Sequence, residues 1–191
     1  MSADRNKSKP RVCQTLWNAL ALNSSFYENA SATPKNRRVA LIIVILSAFS
    51  RALGSAVILL INRATLPVLL LALFFDALSL VAGYYFWTFT IWKIGQWIKS
   101  VSPTYRNLLS PIGFAYAPQV LNFLTLIPLL GRPIELILAV WSLLAVILAV
   151  RKGLDISTRS AALICLVAWP AIQLVTGFVQ VFQQELVEFN Q

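Results

Sequence analysis

The sequence contains no histidine, two cysteines and only seven acidic residues. Without histidine it lacks the commonest metal ligand and the usual general base at neutral pH. Cys13 and Cys165 alone make a poor zinc site, and on the side of the membrane predicted below we expect them to remain free thiols. We find no glycine-rich phosphate loop and no nucleophile elbow. The sequence therefore predicts a protein that is not an enzyme and that uses no metal or cofactor.

Long apolar runs dominate the 191 residues. Hydrophobic residues make up 58% of the chain and charged residues 12%, against about 25% charged in soluble domains. A helix needs about 20 apolar residues to cross a bilayer. By this measure the sequence predicts an all-α, polytopic integral membrane protein with five transmembrane helices, near 39–61, 66–91, 111–130, 133–150 and 160–182.

The basic residues are distributed unevenly among the connections between these stretches. Thirteen of the 16 Lys and Arg residues lie in the N-terminal tail or in the second and fourth connections. Because basic loops stay cytoplasmic, we predict a cytoplasmic (or stromal) tail at 1–36, a membrane domain at 37–182 and a short tail on the opposite side at 183–191. The net charge of +9 then indicates contact with anionic lipid headgroups, and we expect no nucleic-acid partner.

The N-terminal tail is predicted to contain an amphipathic helix over residues 11–22. Val12, Leu16 and Leu20 recur every four residues, with Cys13 and Trp17 beside them. Such a helix either lies on the membrane surface or packs against the cytoplasmic loops of its own chain, and the pattern does not choose between these positions. In both cases Trp17 and Leu20 are the side chains expected to insert or dock.

The second predicted span continues beyond residue 91 as an interfacial helix. Trp87, Trp92 and Trp97, with Tyr84 and Tyr85, are typical of the aromatic belt at a membrane interface. A pigment or ligand pocket is the alternative interpretation, and the belt is the simpler one.

Arg51 and Asp76 are the only ionisable residues predicted near the middle of the membrane. Each lies roughly 11 residues from the first connection, so at about 1.5 Å per residue the two reach the same depth. An unpaired charge at that depth costs about 2.5–3.5 kcal/mol even on the lenient insertion scale. We therefore predict an intramembrane ion pair. A structural pair that fixes the packing of the first hairpin is favoured over a proton or ion relay, since no second carboxylate is expected at that depth.

Several short motifs resemble the bacterial branch of the Yip1 family. They are S-P-I-G-F-A-Y-A-P at 110–118, I-P-L-L-G at 127–131, W-S-L-L at 141–144 and L-D-I-S-T-R-S-A-A-L at 154–163. The resemblance implies five membrane helices and a cytoplasmic N-terminus. The D-L-Y-G-P signature of the eukaryotic, GTPase-linked members is absent from the sequence. The motifs T-L-W-N-A-L at 15–20 and F-Y-E at 26–28 look most like short cyanobacterial members, which implies a thylakoid or plasma membrane.

These observations together favour a protein that binds other integral membrane proteins as an assembly, scaffold or trafficking factor, including an accessory factor of a thylakoid complex. The alternative is a small transporter or channel subunit that uses Arg51 and Asp76. A third interpretation is lipid handling at the inner leaflet through the basic tail and the amphipathic helix. The expected location is a bacterial inner membrane or a thylakoid.

Overall fold

The computed structural model describes residues 12–30, 33–61, 65–98, 104–127 and 129–168. Every regular element within these ranges is a helix, which confirms the all-α class. In chain order they are α1 (Val12–Leu20), α2 (Ser24–Glu28), α3 (Pro34–Ile61), α4 (Leu66–Ile98), α5 (Tyr105–Phe114), the 3-10 helix η1 (Ala117–Leu126), α6 (Gly131–Leu154) and α7 (Thr158–Ala168).

Three of these helices are long and apolar enough to cross a membrane. They are α3, α4 and α6, whose most apolar windows have mean hydropathies of 2.0, 2.2 and 2.4. At about 1.5 Å per residue, even the 24 residues of α6 exceed the roughly 30 Å of a hydrocarbon core. They correspond to the first, second and fourth predicted spans, and α4 includes the predicted continuation past residue 91.

The third predicted span is not one continuous helix. The chain over 105–126 forms α5 and η1, separated at Ala115 and Tyr116. Pro118 accounts for the break, because proline has no amide hydrogen and its ring clashes with the carbonyl four residues earlier, here that of Phe114. The prolines in this stretch predict a kinked helix near 111–130, and the structure corrects that single helix to two shorter ones, α5 and η1.

The fifth predicted span is described only in part. Residues 158–168 form α7, a short apolar helix, and the rest of the stretch to 182 lies outside the described residues. Residues 1–11, which contain the first four basic residues of the tail, and the predicted C-terminal tail at 183–191 also lie outside them.

The helices pack around the broken segment formed by α5 and η1. This segment runs parallel to α3, since Ala40 meets Gly113 and Ser47 meets Tyr116. Helix α6 runs antiparallel to it: Leu108 lies against Gly153, and Gln119 Nε2 donates a hydrogen bond to Ser142 Oγ at 2.9 Å. A Cβ atom at Gly113 would lie 2.8 Å from Ala40 Cβ, so glycine is what allows this close approach of α3 and α5.

The N-terminal helices belong to the same core as the long helices. Ala19, Tyr27 and Ala30 are buried in one cluster with residues of α3, α5 and α6. Trp141 Nε1 donates to the Leu20 carbonyl oxygen at 3.0 Å. Trp141 lies 13 residues, or about 20 Å, from the C-terminal end of α6. Residues 12–30 therefore pack along the side of α6. They are part of the folded bundle and do not form a free tail.

Candidate functional site

The two charges predicted to meet do so between α3 and α4. Arg51 Nε lies 3.3 Å from Asp76 Oδ1. The other carboxylate oxygen, Asp76 Oδ2, accepts a hydrogen bond from Ser55 Oγ at 3.2 Å. Both carboxylate oxygens of Asp76 are therefore occupied by donors on α3, one of them charged. Charge-assisted bonds of this kind are stronger than neutral ones.

Helical spacing explains why these three side chains converge. Ser55 follows Arg51 by four residues, so both lie on one face of α3, and the antiparallel packing of α3 and α4 brings Asp76 level with them. The position of a Cβ atom at Gly54 would be 3.8 Å from Thr125 Oγ1, so η1 passes close to the same level of α3.

The pair differs in the exposure of its two members. The Asp76 side chain is 13% exposed and the Arg51 side chain 39%. The Asp76 side chain is thus mostly enclosed, while part of the Arg51 side chain lies at the surface of the helix bundle. Within the described ranges no group of three or more Cys, Asp and Glu side chains is placed to hold a metal ion. The arrangement suits a charge pair that fixes the hairpin, and its role stays a prediction.

Two serines of α3 bind the backbone of the broken segment. The sequence alone did not predict either contact. Ser47 Oγ is 3.0 Å from the carbonyl oxygen of Tyr116, and Ser50 Oγ accepts the Phe123 amide hydrogen at 2.9 Å. Both serines are almost fully buried. Polar side chains of neighbouring helices satisfy backbone groups freed by proline breaks inside membranes. The available signal was the combination of serines spaced along α3 with prolines in the third apolar stretch.

The five aromatic and apolar residues predicted to bind an interface or partner are not brought together. Trp17 on α1 and Trp97 near the end of α4 are 73% and 81% exposed. Leu20, Trp87 and Trp92 are partly buried and pack against the core. The ring centroid of Trp92 lies 5.8 Å from that of Phe89 and 6.0 Å from that of Tyr105. Lys93 Nζ lies 5.8 Å from the Trp92 ring centroid.

Helix α1 packs against the core with the predicted stripe of Val12, Leu16 and Leu20, but two side chains predicted to lie beside that stripe do not take part. Its most buried residues are Thr15 and Ala19, whereas Cys13 and Trp17 are exposed. Small side chains at Thr15 and Ala19 allow close packing against the rest of the chain, and contacts with η1 and α6 replace the cytoplasmic loops of the earlier expectation. Trp17 thus faces outward on a helix whose other face is already occupied.

A salt bridge anchors the second N-terminal helix to α6. Lys152 Nζ lies 2.6 Å from Glu28 Oε2, and this hydrogen bond and the charge of Lys152 hold the pKa of the Glu28 carboxyl below its usual range. Asn23 caps the start of α2, since its Oδ1 accepts the Ser25 amide hydrogen at 3.1 Å.

Comparison with known proteins identifies no relative. No family model matches the chain, and neither a curated protein nor a solved structure does so.

Proposed function

We propose that this chain is a Yip1-like integral membrane protein that works by packing against other membrane proteins, as an assembly, scaffold or trafficking factor. The observation that carries the proposal is the open surface of α4. The most apolar window of α4 is only 11% buried, against 44% for α3. Helix α4 thus offers a long apolar surface for lateral contact, and its large exposed side chains include Leu70, Leu71, Phe74, Leu78, Phe86 and Phe89.

Five membrane crossings are part of this proposal. Helix α5 has ten residues and η1 has ten. At about 1.5 Å per α-helical residue and about 2.0 Å per 3-10 residue, end to end they reach roughly 35 Å. This length supports a third crossing made of two helices, whose broken backbone is bonded by Ser47 and Ser50. The fifth crossing would begin at α7.

The proposed orientation has the N-terminus in the cytoplasm or stroma and the C-terminus on the other side. The charge distribution supports it, since 13 basic residues would lie on one side. Cysteines introduced singly at Ser2 and Gln191, in a Cys13→Ser and Cys165→Ser background, test it by labelling in sealed vesicles. An impermeant reagent should reach them from opposite sides. Labelling of both from the same side would contradict five crossings.

Partner binding is tested by purification from the native membrane in mild detergent. We expect membrane proteins to co-purify in fixed ratio. Phe74→Ala with Leu78→Ala should release them, because both side chains lie on the open surface of α4. The matched control is Leu136→Ala with Val140→Ala, two exposed apolar residues of α6, which should retain the partners. A chain that purifies alone, or that loses partners equally in both variants, would contradict the α4 surface.

A transporter or channel subunit is the second candidate, and the partial exposure of Arg51 favours it. The Arg51 side chain is 39% exposed, so it can be reached from outside the helix bundle, which a fully enclosed side chain cannot. Reconstitution of the purified chain in liposomes tests this candidate. Ion flux that disappears in Arg51→Met with Asp76→Leu, in a protein that remains folded, would replace the partner-binding proposal.

A further inference from the structure

Among the residues that the structure describes, three buried polar atoms without a hydrogen-bond partner lie on α3, α4 and α5. They are Arg37 Nε, Trp87 Nε1 and Ser110 Oγ. A buried polar group that makes no hydrogen bond destabilises the folded protein, because it loses its bonds to water and gains none in return. Three such atoms on three neighbouring helices therefore require an explanation if they lie close together.

The packing of the helices places the three residues at one level. Ala40 and Tyr84 both approach Gly113: a Cβ atom there would be 2.8 Å from Ala40 Cβ and 3.3 Å from Tyr84 Oη. We call Ala40, Tyr84 and Gly113 the three-helix junction. Tyr84 Oη also donates to the carbonyl oxygen of Leu109 at 2.6 Å, which fixes α4 against α5 at this point.

Each of the three atoms belongs to a residue three positions from that junction. Arg37 precedes Ala40 by three, Trp87 follows Tyr84 by three, and Ser110 precedes Gly113 by three. Three residues rise about 4.5 Å and return to nearly the same helix face. Because α3 and α5 are parallel and α4 is antiparallel to α3, all three steps lead toward the same end of the bundle.

The chemistry of the cluster is that of a donor set. Arginine Nε and tryptophan Nε1 donate and cannot accept, while a serine hydroxyl does either. No ion pair joins Arg37 to a carboxylate in the part of the chain that the structure describes, and the ion pairs of Glu28 and Asp76 are with Lys152 and Arg51. Arg37 is a cation, and its Nε and Trp87 Nε1 can only donate. The group that suits both is therefore an anionic oxygen acceptor.

The surroundings and the depth of Arg37 indicate where that acceptor comes from. Lys35 lies two residues before it, and Arg106 lies one turn from Ser110; both are exposed. Helix α3 has 28 residues, about 42 Å, so its first turn extends beyond a hydrocarbon core of about 30 Å into the headgroup region. Basic pockets between helices on the cytoplasmic side bind acidic headgroups.

We propose that Arg37, Trp87 and Ser110 form a binding site for the phosphate or sulfonate of an anionic lipid headgroup, below the three-helix junction. Arg37 and Trp87 are only partly buried, so rotation of their side chains admits the headgroup without separation of the helices. The site depends on α3 and α4 crossing the membrane and not on the partner-binding proposal.

The test compares lipid retention by the purified full chain in mild detergent, measured by native mass spectrometry with added phosphatidylglycerol, sulfolipid and phosphatidylcholine. One charge-assisted hydrogen bond corresponds to about a tenfold change in affinity. Arg37→Gln should therefore lose anionic-lipid binding about tenfold. The matched control Arg38→Gln removes the same charge from the neighbouring exposed residue and should change binding less than about twofold to threefold, as expected for a screened surface charge.

Two uncharged substitutions keep the proposal testable if Arg37→Gln fails to fold. Ser110→Ala and Trp87→Phe remove an unpaired atom without a change of net charge. Both should raise the thermal midpoint of the lipid-free protein, because a buried unsatisfied group is gone, and both should weaken phosphatidylglycerol binding severalfold. Higher stability with unchanged lipid binding would overturn the proposal.

A separate measurement distinguishes a lipid headgroup from a soluble anion. Inorganic phosphate at millimolar concentration should protect the protein from heating far less than phosphatidylglycerol at equal concentration. Equal protection would show a site for a soluble anion and would contradict the lipid assignment. Equal binding of phosphatidylcholine and phosphatidylglycerol, or equal losses in Arg37→Gln and Arg38→Gln, would also contradict it.

Discussion

Ser50 Oγ on α3 accepts the amide hydrogen of Phe123 in η1 at a distance of 2.9 Å. The bond joins residues 73 positions apart in the chain and ties α3 to a backbone amide inside η1, the helix that follows the break at Ala115 and Tyr116. A membrane interior has no water to bind such an amide. The short polar side chain of Ser50 therefore enables the broken segment to lie inside an apolar bundle.

Replacing that serine should destabilise the protein. Ser50→Ala removes the acceptor that α3 supplies to the Phe123 amide, and we expect a loss of about 1 kcal/mol in the free energy of unfolding. Ser47→Ala should cost less, because the Tyr116 carbonyl oxygen still accepts the Gln119 amide hydrogen at 2.9 Å. Thermal unfolding in detergent measures both.

The matched control for the serine variants is Ser79→Ala on α4, since Ser79 makes no hydrogen bond to another described side chain or to the broken segment. A control variant as unstable as Ser50→Ala would show that the effect does not come from the broken segment.

The Arg51 and Asp76 pair should behave as coupled neighbours. Either Arg51→Met or Asp76→Leu alone strands one charge, and we expect each to cost roughly 1–3 kcal/mol, less than a fully buried pair because Arg51 is 39% exposed. The double variant should recover part of the loss, which folded yield and thermal midpoint measure.

The exchanged pair Arg51→Asp with Asp76→Arg should also recover stability in part. A double or exchanged variant no better than the single ones would show that the contact contributes little to folding. Loss of ion flux in a folded Arg51→Met with Asp76→Leu variant would indicate an ion relay.

Close approach of α3 and α5 should depend on the absence of a side chain at Gly113. Gly113→Ala would bring a methyl group to 2.8 Å from Ala40 Cβ, and overpacking of this kind costs about 1–3 kcal/mol. Gly83→Ala is the control, because a Cβ there meets nothing within 4 Å. Since alanine favours helix over glycine by up to about 1 kcal/mol, this control should be neutral or stabilising. We expect the thermal midpoint to fall in Gly113→Ala and to stay the same or rise in Gly83→Ala.

Attachment of the N-terminal helices should weaken in acid. The Lys152 contact lowers the pKa of Glu28 in the folded protein, so its stabilisation is complete above the usual glutamate pKa of about 4.3 and is lost as pH falls through the lower, folded value. The stability difference between the natural protein and Glu28→Gln should therefore be present at pH 7 and vanish in strong acid.

The control for Glu28→Gln is Glu135→Gln, an exposed carboxylate at the other end of α6 with no ion pair to a described residue. Hydrogen exchange over residues 12–30 is the direct measurement. Faster exchange there in Glu28→Gln, with no change in Glu135→Gln, is expected. Equal exchange in both variants would show that Glu28 does not hold these helices.

The hydropathy pattern of the sequence by itself determined the helical class and the three long helices that the structure describes. The apolar stretches behind α3, α4 and α6 are visible in the sequence because a helix that faces lipid needs apolar residues along its whole length. Counting residues from a tight connection was sufficient to place Arg51 opposite Asp76, since both helices rise by the same amount per residue.

Only the tertiary structure decided where the third apolar stretch breaks, what the buried face of α1 packs against, and how far the N-terminal helices extend along α6. Each depends on contacts between residues distant in the chain. Ser47 and Ser50 stabilise a break that begins nearly 70 residues later, and Trp141 binds a carbonyl 121 residues before it. Periodicity describes the faces of one helix, whereas what each face packs against is set by the shape and polarity of the helices it meets.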